Sequence, residues 1–533
     1  MKGYIKLLTA LVAGFFFSCE KDVLNKNPLD VIDQELVWED ANLAQLYLND
    51  VYLNIPGGLG RGLDCATEIG EGGHNWHPAQ PFNTGEVTPG NAPFADAWDL
   101  YYPIRSLNQF IAQYNTGQGD AETNDGLLGQ AYFLRALFYS ELVNFFGGVP
   151  IISSAQSLDE DLFVPRNSYE ECVDFIVADL DAAAGLLPSE WSPTEVGKAT
   201  SGAALALKSR ALLYAASPLH NEGNDLAKWQ LAADAAWAVI SSEQYALYPD
   251  YNGLFLNDNN EEVIFDIQFA YPYRTNDWDY MTNPQGFNGA YGMTRPTQEL
   301  VNSYEMANGR AIGDPESGYD LAAPYVGRDP RFYASILYNG ASWRGRTLET
   351  FVDGANGPGA YDEYATSLTM TGYYLKKFLN EENPLSYGDN RWSANWIVIR
   401  YAEVLLNYAE AQLNLGHEDE ARAYINRVRE RSDMPEIPND ESGQALRARY
   451  MNERKVELAF EEQYFFDVRR WKTAPQLLNV PVHKMTIERQ GGGGFQYTEE
   501  VMEPRSWRDA FYFLPIPQEE IDKNPNLTQN DDY

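Results

Sequence analysis

Amphipathic stretches, each stopped by a clear breaker, constrain this chain more than any other feature. Trp98, Tyr101, Tyr102, Leu107, Phe110, Ile111 and Tyr114 recur at spacings of three and four, the stripe of a helix that buries one face. Residues 127–146 continue the pattern through Tyr132, Leu134, Phe138, Leu142, Phe145 and Phe146. They halt at Gly147-Gly148, with Pro150 just beyond. Ser168-Tyr169-Glu170-Glu171 is a capping box and predicts a helix over 169–187, ending before Pro188. Further helices are expected at 203–216 and 229–240. Alanines such as Ala204, Ala211, Ala232 and Ala236 let their axes approach closely. Periodicity returns at 396–415, 418–431 and 443–472.

Helix pairs of this size read as tetratricopeptide-like units, although their period is irregular. The fold expected is mainly α: a scaffold of such pairs over about 31–260 and 396–475. The middle differs. Residues 262–269 (EVIFDIQF) alternate like a strand, and the chain to about 395 is rich in Gly, Pro, Asn, Tyr and Trp. A loop region this long inside a globular chain usually carries function. Residues 31–533 are therefore read as one domain, with a loop-rich ligand-binding subregion at 261–395 containing short β-strands packed on the scaffold. Residues 490–494 read as a flexible tip, and the tail beyond them as extended.

Composition removes several functions. Among 533 residues, 77 are acidic and 39 basic, a formal charge of -38. That balance repels phosphate backbones and anionic lipid headgroups, so nucleic-acid or electrostatic membrane binding is not expected. Trp (12) and Tyr (35) together far outnumber Phe (25), favouring rings that combine an apolar face with a hydrogen-bonding tip. Three cysteines, Cys19, Cys65 and Cys172, are too few for a disulfide framework. Cys65 and Cys172 either pair or remain as buried thiols.

The N-terminus reads as an address. Lys2 and Lys6 precede an apolar run over 7–17, then Ser18-Cys19, too short to span a membrane and fitting a secretory signal over 1–18. Cys19 after a small residue fits a bacterial lipobox, although Phe16 takes a position usual for an aliphatic side chain. Cys19 is the expected lipidation site, with 19–30 as a polar tether.

Several segments, in order over nearly the whole chain, resemble the SusD/RagB family of outer-membrane nutrient-binding lipoproteins. They are Tyr132-Phe133-Leu134-Arg135-Ala136 running to Phe145-Phe146-Gly147-Gly148-Val149-Pro150, and Lys198-Ala199-Thr200 leading into 203–214. Next come Arg400-Tyr401-Ala402-Glu403-Val404-Leu405-Leu406-Asn407-Tyr408-Ala409-Glu410-Ala411, and Glu453-Arg454 through Glu457-Leu458-Ala459-Phe460-Glu461 to Phe466-Asp467-Val468-Arg469-Arg470-Trp471. Phe513-Leu514-Pro515-Ile516-Pro517 and Asn524-Pro525-Asn526-Leu527-Thr528-Gln529-Asn530 close the set. Glu462 departs from the pattern, which calls for glycine there, and is placed inside the 443–472 helix. The resemblance implies a surface lipoprotein of the outer membrane. Its partner would be a SusC-like TonB-dependent transporter, to which it delivers oligosaccharide or, in some members, peptide.

The charged residues of the strongest motif have a structural reading. Arg454, Glu457 and Glu461 stand three and four apart, so on one helix they pair along a face, with Asp467, Arg470 and Glu403 joining a network. The alternative, a secreted glycan-degrading enzyme, needs two carboxyls about 5 to 10 Å apart across a cleft. No nucleophile elbow or phosphate cradle appears, so no catalytic residue is assigned and the chain is not expected to be an enzyme. His74 and His77 lack accompanying ligands for zinc. Asn257-Asp258-Asn259-Asn260-Glu261-Glu262 lacks the glycine of a calcium loop and reads as a solvated turn. No metal or cofactor is expected.

Recognition is the positive expectation. Sugar rings offer C–H faces to flat aromatics and edge hydroxyls to amides, carboxylates and phenols. Two loop stretches hold that mixture: His74-Asn75-Trp76-His77 with Asn83 downstream, and 271–280 with Tyr273, Trp278 and Tyr280, followed by Asn288 and Tyr291. Trp343 is a third candidate. The ligand-binding residues expected are His74, Asn75, Trp76, Asn83, Tyr273, Trp278, Tyr280 and Trp343. Trp98, on a helix stripe, is expected in the core.

Overall fold

The computed structural model describes residues 34–533 apart from 75, 115–120, 288–289, 360–368, 384 and 386–392. Cys19, the signal and tether at 1–30, Asn75 and Asn288 therefore lie outside the described residues.

The helical scaffold forms where local chemistry predicts it. Helix α1 spans Ala41–Tyr52, α2 Tyr101–Tyr114, α3 Ala121–Phe146, α4 Tyr169–Leu186, α5 Ser201–Ala216 and α6 Leu226–Ile240. The capping box of α4 is complete: Ser168 Oγ accepts from the Glu171 N–H, and Glu171 accepts from the Ser168 N–H. Thr200 and Asp225 cap α5 and α6 more simply, their side chains accepting from the Ala203 and Ala227 N–H groups. Helix α3 packs on α4, α4 on α5, and α5 on α6. Buried alanines of α5 and α6, including Ala203, Ala206, Ala232 and Ala236, supply the close approach. This sequential stacking is a tetratricopeptide-like arrangement.

A short strand, β1, spans Gly70–Gly72. Strand β2 (Val263–Ile267) pairs antiparallel with a later strand at Trp396–Arg400. The helix expected over 396–415 is thus split. Its Trp-Ile-Val-Ile start is β-branched and extended against β2, and helix begins only at Tyr401. Helix Tyr401–Leu415 then packs on α6 and on the following helix, Glu418–Arg431, extending the stack. The helix expected over 443–472 also breaks. It runs Gly443–Glu457 and resumes at Tyr464–Arg470; between them Phe460 and Glu462 adopt φ of 61° and 65°. Glu462 is therefore not helical, and its left-handed backbone explains why the family pattern calls for glycine there.

The tail is not simply extended. Val482–Arg489 and Phe495–Glu503 form an antiparallel hairpin whose turn is the glycine run 491–494. Cys65 and Cys172 are both buried free thiols. Among the described residues, no helix is long and apolar enough to cross a membrane.

The motif carboxylates pair across the fold rather than along one helix. Glu457 accepts from Arg331 at 3.0 Å and Arg400 at 2.7 Å, and also from Arg431. Glu461 binds Arg400 at 2.6 Å and Lys377 at 2.7 Å. Arg454 instead binds Asp467 at 2.8 Å, and Glu403 binds Arg210 at 2.6 Å. Only Asp467–Arg470 is a near-neighbour pair, and Arg470 continues to Glu410. Burial alone would raise Glu457, but Arg431, Arg400 and Arg331 hold its carboxyl well below the usual range. Burial likewise opposes ionisation of Glu410, yet Arg470 brings it down to about 2.

Candidate functional site

Two loops far apart in sequence meet on a three-residue ribbon. Strand β1 pairs with β3 (Thr294–Pro296), placing Gly70 opposite Pro296 and Gly72 opposite Thr294. The Gly73 N–H extends the ladder to the Met293 carbonyl at 2.7 Å. His74, Trp76 and His77 therefore leave the ribbon beside residues 290–293.

The turn is built around His77. Its ring lies between Gly62 and Gly72, where a Cβ on either glycine would overlap the imidazole. The Ala79 N–H donates to His77 Nδ1 at 3.2 Å. Burial, with His74, Arg295 and Arg505 nearby, lowers His77 to about 4. His77 is a neutral packing group at pH 7, and that fixes the direction in which His74 and Trp76 emerge.

The exposed product of this arrangement is a ridge of rings. Trp76 is 57% exposed and stacks on His74 with centroids 4.9 Å apart and planes 16° apart. Behind His74 stands Tyr291 at 5.8 Å, and behind Tyr291 stands Tyr280 at 5.1 Å, edge on. Burial and then Arg295 lower the His74 pKa, so a neutral imidazole supports the indole. The Tyr291 N–H donates to the Tyr280 carbonyl, and the Met293 N–H to the Met281 carbonyl, tying the row to the helical turn Trp278–Thr282. The ridge thus draws on both sequence stretches.

The remaining candidates fall elsewhere, and several are corrections. Trp278 is only 7% exposed, wedged edge-on between Phe269 and Trp396 at 5.4 Å each. Gly58 passes close over it. Trp343 is fully buried and donates its indole N–H to Asn283 Oδ1 at 2.8 Å, within a satellite core with Leu337, Leu348, Tyr374 and Leu379. Tyr280 is buried as a buttress. Asn83 is buried and spans to the Cys65 carbonyl at 3.2 Å, so it fastens the loop. These four side chains hold the surface up and offer no face of their own. His74 acts through its stack with Trp76.

Tyr273 is 92% exposed, on a separate turn closed by the Arg274 N–H to the Ala270 carbonyl. Trp98 is buried, as its stripe predicts. The Asn257–Glu262 segment is a turn: Asn260 bonds the Leu254 and Asn257 carbonyls, and Asp258 accepts from the Asn395 N–H. Among the described residues, no three His, Cys, Asp or Glu side chains cluster to hold a metal. Tyr291, named with the second stretch in sequence, backs His74, a role visible only once β1 and β3 are paired.

A stack of helix pairs that presents loop-borne aromatic rings is the architecture of a binding scaffold. Comparison with known proteins makes the class specific. The SusD family profile matches residues 261–533, and a profile described as starch-binding associating with outer membrane matches 71–213. A SusD-like protein of Bacteroides fragilis is 31% identical, covering 95% of this chain and all of its own, with a TM-score of 0.82. A SusD-like carbohydrate binding protein from the same species is 25% identical, covers 92% and 99%, and has a TM-score of 0.79. SusD-like protein P2 of Formosa agariphila is 28% identical over 95% of both chains. The chain belongs to the SusD family.

Proposed function

We propose that this protein captures oligosaccharides at the cell surface and passes them to a SusC-like TonB-dependent transporter, held to the outer membrane by lipid on Cys19. The observation that carries the reading is the exposed face of Trp76, backed by the neutral His74 ring. A broad indole face takes the C–H side of a pyranose, and affinity rests on that stack because neutral sugars bring no charge. Support comes from the carbohydrate-binding relative in Bacteroides fragilis and from the starch-binding, outer-membrane description of the matching profile. Tyr273 extends the candidate contact surface on its own turn. The motif carboxylates that a glycan-cleaving enzyme would need are engaged by arginines in the interior.

Isothermal titration with laminarihexaose, maltohexaose and a tripeptide tests this directly. Saturable binding of a hexasaccharide is expected, weakened about ten-fold, or roughly 1.4 kcal/mol, by Trp76→Ala. Thermal stability should stay within about 0.5 kcal/mol, because the removed ring is a surface group. Unchanged sugar affinity in the variant removes the ridge from the mechanism, and binding of the tripeptide alone changes the ligand class. Release of reducing sugar from either oligosaccharide would instead show an enzyme. Co-purification with a TonB-dependent barrel tests the transport step.

A further inference from the structure

The scaffold holds a second hollow, away from the residues that build the aromatic ridge. A cavity of about 560 Å³ opens between the connection from α4 to α5 and strand β2, within the size range of small-molecule sites. A neighbouring hollow of about 290 Å³ shares Val196, Gly197, Lys198 and Asp266 with it, so the two flank one strap of chain. The strap is fixed at both ends. The Ser201 N–H bonds the Pro188 carbonyl at 2.9 Å, and the Trp191 indole N–H bonds the Ala199 carbonyl at 2.7 Å.

The lining has a definite chemistry. Trp191 and Tyr245 are half-buried rings over an apolar floor that includes Ile264 and Phe265. Asp266, buried at the junction, accepts from Gln268 at 2.6 Å and from Asn395 at 2.9 Å, and each carboxylate oxygen keeps a lone pair for another donor. Burial raises its pKa to about 6, so at neutral pH it is an anionic acceptor. Lys198 is paired with Glu195 at 2.7 Å and sits over the Trp191 ring, so its charge is already answered. Glu190 and Glu261 on the rim further disfavour an anion.

Rings for C–H faces and an acceptor for hydroxyls, with Lys198 of the larger hollow already paired to Glu195, describe a site for a neutral polyhydroxylated ligand. We infer that this strap groove is a second, independent carbohydrate subsite, with Trp191 and Asp266 as its stacking and hydrogen-bonding groups. The smaller hollow runs to Arg274, on the turn that carries the exposed Tyr271 and Tyr273, giving a longer chain a path out. The inference extends the carbohydrate reading of the ridge but uses none of its residues.

Fluorine NMR of the full chain labelled with fluorotryptophan separates the two sites, once the signals of Trp76 and Trp191 are assigned by single Trp→Phe substitution. With laminarihexaose or maltohexaose, the Trp191 signal should shift saturably even in Trp76→Ala. Val196→Arg, at a residue 46% exposed and shared by both hollows, should plug the groove without touching the core and weaken that shift about ten-fold. Asp266→Asn, of the same shape, should weaken it as well. No shift at Trp191 up to about 10 mM of either sugar overturns the inference, as does a shift indifferent to Val196→Arg. A shift at Trp76 alone sinks the second subsite and leaves the ridge standing; a shift at Trp191 alone does the reverse.

Discussion

Arg400 and Trp76 illustrate two ways in which this chain uses large polar-edged side chains. Arg400 is buried and bonds Glu262, Glu457 and Glu461, as well as the Glu457 carbonyl. Every one of those partners lies far away in sequence. Trp76 stands largely in solvent and touches one neighbouring ring, two residues away. In the interior, each charge is answered by another, and removing one group strands several others in low dielectric. On the ridge, a broad face is left open above a buried base of His74 and His77. The residues that advertise the family are therefore the ones that hold the frame, while the proposed ligand capture falls to loop side chains outside those motifs. A likeness in motif speaks for fold, and a likeness in ligand has to be established on the loops.

The sharpest way to break this contrast is to disturb the interior. Glu457→Gln leaves Arg331, Arg400 and Arg431 around a neutral amide and should cost about 3–5 kcal/mol, read as a lowered urea midpoint. Binding by the fraction that remains folded should be unchanged. A loss under about 1 kcal/mol would mean that the cluster relaxes or hydrates, and the division between frame and surface would weaken. Next in size is Trp278→Ala. Its ring fills the space between Phe269 and Trp396, so a cost of about 3 kcal/mol or more is expected, again with sugar affinity retained. Loss of affinity at full stability would return Trp278 to the ligand and overturn its placement as core. Trp76→Ala is the mirror image: affinity falls and stability holds.

Those paired substitutions also show which parts of the molecule can be read from sequence. The capping box at Ser168 and the stop at Gly147 depend on residues within one turn, so they are legible. The strand at Trp396–Arg400 is hidden because it runs without punctuation into an amphipathic helix, and only its partner β2 fixes it as extended. Glu461 looks like a helix-face partner of Arg454 because spacing alone cannot show that the helix ends at Glu457. Trp76 and Trp278 carry the same signature, an indole amid asparagine, histidine or aspartate in a loop. What separates them is the far side of the contact: solvent for one, Phe269 and Trp396 for the other. Periodicity reports which face of a regular element is buried, and irregular loops have no period.

The smallest expected effect concerns Glu462, where the interior strains against its own rule. With φ at 65°, it occupies a backbone position suited to glycine. Its carboxylate reaches Arg61 at 3.2 Å, an arginine already engaged by Glu141. Burial raises its pKa to about 8, with Arg61 only partly opposing. The folded state then holds a proton that the unfolded chain releases above about pH 4.5, so stability should fall as pH rises from there to about 8. Asp64 at about 7 and Glu71 at about 8 act with the same sign. His77 at about 4 and His220 at about 3 act oppositely, losing stability as pH falls below the free-histidine value of about 6.5. Stability should therefore peak in mildly acidic solution. Glu462→Gln keeps the shape and cannot titrate, so it should flatten the alkaline limb by less than about 1.4 kcal/mol per pH unit. The advantage over wild type should therefore grow from pH 5 to pH 8. Urea unfolding at the two pH values measures it. An unaltered slope would mean that Glu462 is ionised in the folded protein, fully held by Arg61, and so no different in kind from the carboxylates around Arg400.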